Sequence, residues 1–294
     1  MKESIKLKLM QWTTIVVYTS IFDNAFNKGY KVKRRGYKLG VRPLCNKLYG
    51  TDAILGHLIS IDTLTGNGTI IGKMFDEAPS LATDPTTGIL YAGTGGGIAV
   101  LYTVDPNTGT ATFVGNTGLG SFTSIAGLDF RSDGTLFASV NIIGGSPTGA
   151  DHLAIINKST GVATVVGPYG ICDSGSCTIE GMEGITFDET GTLWGSLRVR
   201  RSDGTPGLYT IDTKTGAATF VTRIQNPDGS TPSGGVVSLQ FCNNLLFGGT
   251  ANAIPPATDG GKLIVIDPST GFWSFVGTGT ATGGTSLGGL ARVF

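Results

Sequence analysis

Chemistry in this 294-residue chain has to come from few side chains, because it holds two His and four Cys and only 14% of its residues are charged. The acidic candidates are Asp76, Glu77 and Glu183, each in a short Gly- or Pro-containing segment (GKMFDEAPS and GMEG) ahead of an apolar run. Carboxylates brought together in pairs act as general acid and base or hold a hard cation. Their spacing here forms no motif, so catalysis by Asp76, Glu77 and Glu183 is an alternative reading. No cofactor is expected, a structural cation such as calcium being the one ligand these carboxylates would suit. His57 and His152 each precede the Leu that opens a repeated segment, where the other copies carry Val100, Gly207 and Lys262. Such variety marks a strand entry rather than a ligand shell. HExxH and Walker spacings do not occur.

Arg198, Arg200 and Arg201 are the one basic cluster outside the N-terminal segment. They would bind a sulfate, phosphate or acidic sugar, or else lie solvated on a loop. Cys172 and Cys177, five positions apart among Gly and Ser, suit a local disulfide in an oxidising compartment. Cys45 and Cys242 hold matching places in LCNKLYG and FCNNLLFGG, and they can be bridged if their Cα atoms come within about 7 Å.

What positions these residues is a repeat. One hairpin recurs five times, as LISIDTLTGNGTIIG, LYTVDPNTGTATFVG, LAIINKSTGVATVVG, LYTIDTKTGAATFV and LIVIDPSTGFWSFVG. Its turn glycines, Gly66, Gly109, Gly161, Gly216 and Gly271, are 43, 52, 55 and 55 residues apart, the length of a four-stranded propeller blade. Apolar and polar residues alternate on both sides of an Asx-x-x-Thr-Gly turn, in which the Asx side chain caps the backbone and Gly supplies positive φ. A second hairpin lies between successive copies, for example LATDPTTGILYAGT and GITFDETGTLWGSL. The expected fold is therefore all-β, a five-bladed β-propeller. The last blade is split: GGLARVF at the C-terminus supplies an innermost strand to the N-terminal strands that begin at NKLYGTD, closing the ring.

The paired LYxIDxxTGxxxxVG and DxxTGxLY hairpins resemble the NHL, YVTN and quinoprotein-like repeats of secreted or surface bacterial and archaeal β-propellers, over residues 46–294. The resemblance implies a fold rather than an activity. It also implies that the first strand of each blade lines a central channel, which gathers the long, variable connections on one face. On that face Glu77 and Glu183 precede inner strands and would point to the channel mouth.

The zero net charge joins two unlike parts: residues 1–47 hold 11 Lys/Arg against 2 Asp/Glu, and the remainder 10 against 19. Residues 1–45 read as a basic leader, a signal peptide or anchor plus linker, whose 14-residue apolar run is too short to span a bilayer as a helix. Residues 46–294 read as the propeller. With an even Cys count, the leader favours a secreted or cell-surface location. Nucleic acid is not expected as a partner, since nothing beyond the leader is basic enough to extend a phosphate-binding surface. The function these features suggest is a non-enzymatic binding module for a protein or glycan, working through the variable-loop face. Two alternatives stand beside it: a lactonase, lyase or glycan hydrolase with carboxylates at the channel mouth, and a structural subunit of an extracellular assembly docked by the leader.

Overall fold

A computed structural model of the chain describes residues 45–142, 151–172, 175, 178–198, 205–252, 259–283 and 285–294. The leader apart from Cys45 lies outside this set, as do Cys177, Arg200 and Arg201. Twenty strands form five four-stranded antiparallel sheets. In chain order, β1 (Lys47–Asp52), β2 (His57–Asp62) and β3 (Gly68–Lys73) belong to blade 5. Blade 1 follows as β4 (Ser80–Thr83), β5 (Leu90–Gly93), β6 (Ile98–Val104) and β7 (Ala111–Ser121). Blade 2 is β8 (Thr123–Phe130), β9 (Leu136–Ile142), β10 (His152–Ile156) and β11 (Ala163–Pro168). Blade 3 is β12 (Met182–Phe187), β13 (Leu193–Leu197), β14 (Gly207–Ile211) and β15 (Ala218–Arg223). Blade 4 is β16 (Val236–Cys242), β17 (Leu245–Thr250), β18 (Leu263–Ile266) and β19 (Trp273–Phe275). Finally β20 (Leu287–Arg292) returns to blade 5 and pairs with β1, Thr51 opposite Gly289 and Leu48 opposite Arg292. The fold is the five-bladed propeller expected from the repeat, with its ring closed by the C-terminal strand.

The turn chemistry operates as the sequence suggests. In each copy an Asx Oδ1 accepts the N–H two residues on: Asp62 from Leu64, Asp105 from Asn107, Asn157 from Ser159, Asp212 from Lys214 and Asp267 from Ser269. The backbone N–H groups that reach the exposed Asp62 and Asp105 hold both carboxyls below the usual carboxylate range. The turn glycines also have a second duty. Gly161 packs on the backbone of Gly115 in the blade before it, and a Cβ on either would overlap the other chain segment.

The blades interlock through aromatic pairs. The second strand of one blade sends a ring onto the inner strand of the next: Tyr91 on Phe130, Phe137 on Phe187 and Trp194 on Phe241, with centroids 5.4, 5.3 and 6.0 Å apart. Such tilted contacts add to the burial of apolar area that holds one sheet against the next. The inner strands β4, β8, β12, β16 and β20 pack on one another in cyclic order around the axis. They can approach so closely because small residues, Ser80, Gly127, Gly184, Ser238 and Gly289, occupy the same place in each; a Cβ on Gly184 or Gly289 would strike the next strand's backbone.

Cys45 and Cys242 are disulfide-bonded, with Cα atoms 5.9 Å apart, and so join the chain just before β1 to the end of β16 in the neighbouring blade. Cys172 is oxidised as well, and its expected partner Cys177 lies outside the described residues. Among the described residues no helix is long and apolar enough to cross a membrane.

Candidate functional site

One local device builds the channel mouth. Near the start of the inner strand, β8, β12, β16 and β20 or their partners carry a register shift, so that one residue is left over between two paired positions. In blade 3 Met182 pairs with Leu197 and Gly184 with Ser196, which makes Glu183 the extra residue. A bulge of this kind re-aims a side chain. Ala126, Glu183, Val237 and Gly288 occupy this position, with Pro79 at the corresponding place in blade 1, and all five line the mouth. The next tier comes from the ends of the second strands, as Ala53, Gly95, Asn141 and Arg198. They enclose a cavity of about 230 Å³.

Of these nine positions only three are polar: Glu183 and Arg198 of blade 3 and Asn141 of blade 2. The five-fold repeat thus becomes one-sided at the mouth, with polar groups where blades 2 and 3 meet and small or apolar residues elsewhere. Ser124 and Ser286 complete the polar lining.

Glu183 is held firmly in place. Asp151, buried at the start of β10, accepts the N–H groups of Gly181 and Met182 through Oδ2. Ser139 donates to the Met182 carbonyl at 2.5 Å. The Glu183 carbonyl lies so close to Gly127 that a Cβ there would overlap it. Blade 2 therefore fixes the backbone on both sides of a blade 3 side chain. Glu183 Oε1 stands 3.9 Å from the Arg198 guanidinium, and the Glu183 side chain is about a quarter exposed. Burial pushes its carboxyl up to about 7, Arg198 opposing the rise and Asp151 adding to it. Burial likewise raises Asp151 to about 6, against the pull of its two backbone donors. Arg198 is anchored through Nε to the Gly234 carbonyl at 2.9 Å and more weakly to that of Asn252 at 3.3 Å. Its remaining nitrogen, Nη1, is the one beside Glu183, and Arg198 lines the cavity.

The other expected carboxylates are not gathered with Glu183. Asp76 is exposed and paired with Lys73 at 2.7 Å. Glu77 is exposed at a φ of 57°, with its carboxylate against Gly96 in the cavity wall, and does not itself line the cavity. Arg198 is a wall residue rather than part of a solvated ladder. Asn141 was not singled out by its type; its signal is its place in the repeat, where the other blades carry Ala53, Gly95, Arg198 and Ala251. Among the described residues no group of three or more His, Cys, Asp or Glu is placed to hold a metal ion.

No protein-family model and no curated protein matches the sequence. Solved structures do match. A gluconolactonase from Xanthomonas campestris aligns at 13% identity and a TM-score of 0.50 over 82% of this chain and 74% of that one. A putative gluconolactonase aligns at 14% identity and a TM-score of 0.43 over 85% and 78%, and a PQQ-bound aldose sugar dehydrogenase from Streptomyces coelicolor at 13% and 0.45 over 82% and 89%. The expected non-enzymatic binding module is corrected at this point. The solved structure that aligns at a TM-score of 0.50 is that of an enzyme, a gluconolactonase, and the variable-loop face holds a half-buried carboxyl of raised proton affinity beside an arginine. At these identities the likeness is one of fold, and the chain is a β-propeller similar in architecture to the gluconolactonase.

Proposed function

We propose that this protein is a hydrolytic enzyme of the lactonase type, working at the channel mouth with Glu183 as general base and Arg198 as the cation that steadies developing negative charge. One observation carries the reading: Glu183 is bulged into the cavity and held with a proton affinity near neutrality, where a carboxyl can both accept and return a proton. A glycan hydrolase of the usual kind needs two carboxyls flanking the scissile bond. Glu183 is the one carboxylate in the cavity lining among the described residues, and Asp151 is occupied behind it. Lactone hydrolysis needs only one. Glu183 takes a proton from water as the hydroxide adds to the lactone carbonyl; Arg198 faces the oxyanion. The ring C–O bond then breaks and the leaving alkoxide receives the proton back from Glu183, giving the open hydroxy acid. The gluconolactonase neighbour supports this substrate class.

The Cys45–Cys242 bridge supports an extracytoplasmic site of action, since such bonds persist in oxidising compartments. The test is turnover of a panel of aldonolactones, aryl esters and aryl glycosides by the wild type and by Glu183→Gln. Lactone hydrolysis lost by about 10²-fold or more in the variant, with folding intact, is expected. Equal rates in the two proteins overturn the assignment.

A further inference from the structure

We infer that the chamber at the turn-face end of the channel is a second ligand site, fitted to a small α-amino acid in its zwitterionic form. The inner strands close the channel between its two ends. One residue past the small position of each strand, Leu81, Leu128, Ile185, Leu239 and Leu290 are buried in a ring around the axis. The space they leave, about 10 Å³, holds one water at most. Beyond this plug a separate cavity of about 130 Å³ opens to the turn face beside the exposed Ser132 and Glu189. It has room for several waters or one small organic molecule.

Opposite charges line this chamber without pairing. Asp129 of blade 2 is buried; its Oδ1 accepts the N–H of Phe130 at 2.8 Å and its Oδ2 that of Phe187 at 2.7 Å. Arg292 crosses the channel floor from blade 5 to blade 3, where Nη2 donates to the Phe187 carbonyl at 3.4 Å. Among the described residues its guanidinium makes no ion pair. Burial raises the Asp129 carboxyl above the usual range, and the Phe187 N–H and the Arg292 charge oppose the rise. Gln240 belongs to blade 4, between those two blades. Its Nε2 donates to Thr186 Oγ1 at 3.3 Å and to the Phe241 carbonyl at 3.1 Å, which leaves Oε1 as an acceptor in the chamber wall. The repeat does not require these groups. Where blades 2 and 4 carry Asp129 and Gln240, blades 1 and 5 carry Ala82 and Ala291, and Arg292 stands where blades 2, 3 and 4 have Phe.

The charges decide the ligand. A simple anion would meet Arg292 but also Asp129 and Glu189, and a simple cation would meet those carboxylates but also Arg292. A zwitterion suits both signs. Its carboxylate takes the guanidinium through paired N–H···O bonds. Its ammonium donates to the Asp129 carboxylate, which keeps acceptor sites beyond its backbone bonds, and to Gln240 Oε1. Phe130, Phe187 and Pro85 are left for the carbon of the side chain.

Calorimetry of the full chain with L-alanine, acetate and methylammonium tests this. Charge-assisted hydrogen bonds at both ends are expected to make L-alanine bind at least about tenfold more tightly than either fragment. Arg292→Gln and Asp129→Asn, each checked for folding by circular dichroism, are expected to weaken L-alanine by about tenfold or more. Arg292 is part-exposed at the end of β20, so its variant decides the matter if Asp129→Asn does not fold. Arg198→Gln alters only the mouth and is expected to leave L-alanine affinity within about twofold of the wild type. L-alanine bound no more tightly than acetate or methylammonium overturns the inference, as does undiminished binding in either folded variant. Binding lost in Arg198→Gln places the ligand at the mouth and overturns it too. Lactone hydrolysis enters none of these outcomes, so this site and the role of Glu183 fail separately.

Discussion

Ser139 donates its hydroxyl hydrogen to the carbonyl of Met182 in the next blade, while the residue opposite Ser139 on its own sheet is Gly127. This pairing of one hydroxyl with one glycine recurs in every blade: Ser80 with Gly93, Ser196 with Gly184, Ser238 with Gly249 and Thr51 with Gly289. The hydroxyl changes strand from blade to blade, but four of the five reach a carbonyl across a blade boundary: Ser139 to Met182, Ser80 to Ile125, Ser238 to Leu287 and Thr51 to Ala78. The fifth, Ser196, reaches only the Gly184 carbonyl of its own sheet at 3.5 Å. The inner ring has room for a single side chain at each such pair, and that side chain links two blades.

Ser139→Ala is therefore expected to destabilise the protein by about 1–3 kcal/mol, the range for orphaning a buried hydrogen-bonded carbonyl. Ser196→Ala, whose hydroxyl sits at the long end of hydrogen-bond geometry, is expected to cost less. Gly127→Ala is expected to cost more than either, because its Cβ meets the Glu183 backbone rather than a flexible side chain. Denaturant midpoints rank the three. Equal losses for Ser139→Ala and Ser196→Ala would show that the inter-blade bond contributes nothing.

The rate profile follows from the environment of Glu183. A base must be deprotonated, so hydrolysis is expected to rise with pH through about 7. Arg198 favours the charged carboxylate; removing it in Arg198→Gln raises the Glu183 value and moves the rising limb to higher pH. Asp151 disfavours the charged form, and Asp151→Asn moves the limb the other way. Profiles of kcat/KM for the three proteins decide the matter. Limbs displaced in one direction by both substitutions contradict the electrostatic account.

Stability carries the mirror image of that profile. The folded carboxyl of Glu183 titrates at about 7 against 4.5 for an ordinary Glu, so the native state holds its proton more tightly than the unfolded chain. The resulting stabilisation is complete below about pH 4.5 and is lost as pH rises through 7. Glu183→Gln removes that loss. It is expected to be close to neutral at pH 4.5 and to stabilise the protein by about 1–3 kcal/mol at pH 8. Melting curves at the two pH values measure the difference, and a variant less stable than wild type at pH 8 would exclude a desolvated Glu183.

The fold was legible in the sequence because its signals are local. An Asx that caps a turn and a Gly at positive φ declare themselves within five residues, and five copies set the blade number and the closure. The site was only partly legible because it is defined by register around the ring. Asp76 and Glu77 stand shortly before an inner strand and Glu183 within the first residues of one, yet only Glu183 sits on the bulged position, and its counterpart in blade 1 is Pro79. Distance along the chain could not separate them, whereas alignment of the inner strands on their small residues, Ser80 with Gly184, does so. Arg198 carries its charge next to Arg200 and Arg201, although its place in the cavity wall comes from following β13 directly, as Asn141 follows Val140 in β9. The bridge between Cys45 and Cys242 was legible for the same reason as the fold, since both occupy matching turns of adjacent blades.

That bridge supports the last expectation. It spans 197 residues of sequence and ties the entry to β1 to the end of β16. The C-terminal β20 is held by β1 on one side and by neighbouring inner strands on the other, so the ring can open where blades 4 and 5 meet if β1 swings away. Closing so long a loop in the unfolded chain has a chain-entropy value of about 5 kcal/mol, and measured effects of single disulfides centre on about 2–4 kcal/mol. Replacing both residues, as Cys45→Ser with Cys242→Ser, is expected to lower stability by that smaller amount and to make the melting temperature less sensitive to a reducing agent than that of the wild type. Loss of the bridge should also expose the edge of blade 5 before the rest of the ring unfolds. Hydrogen exchange then speeds first at β1 and β20, whose pairing depends on closure, with β9 and β13 protected until global unfolding. Uniform acceleration across all five blades would mean that the disulfide stabilises the ring as a whole rather than its seam.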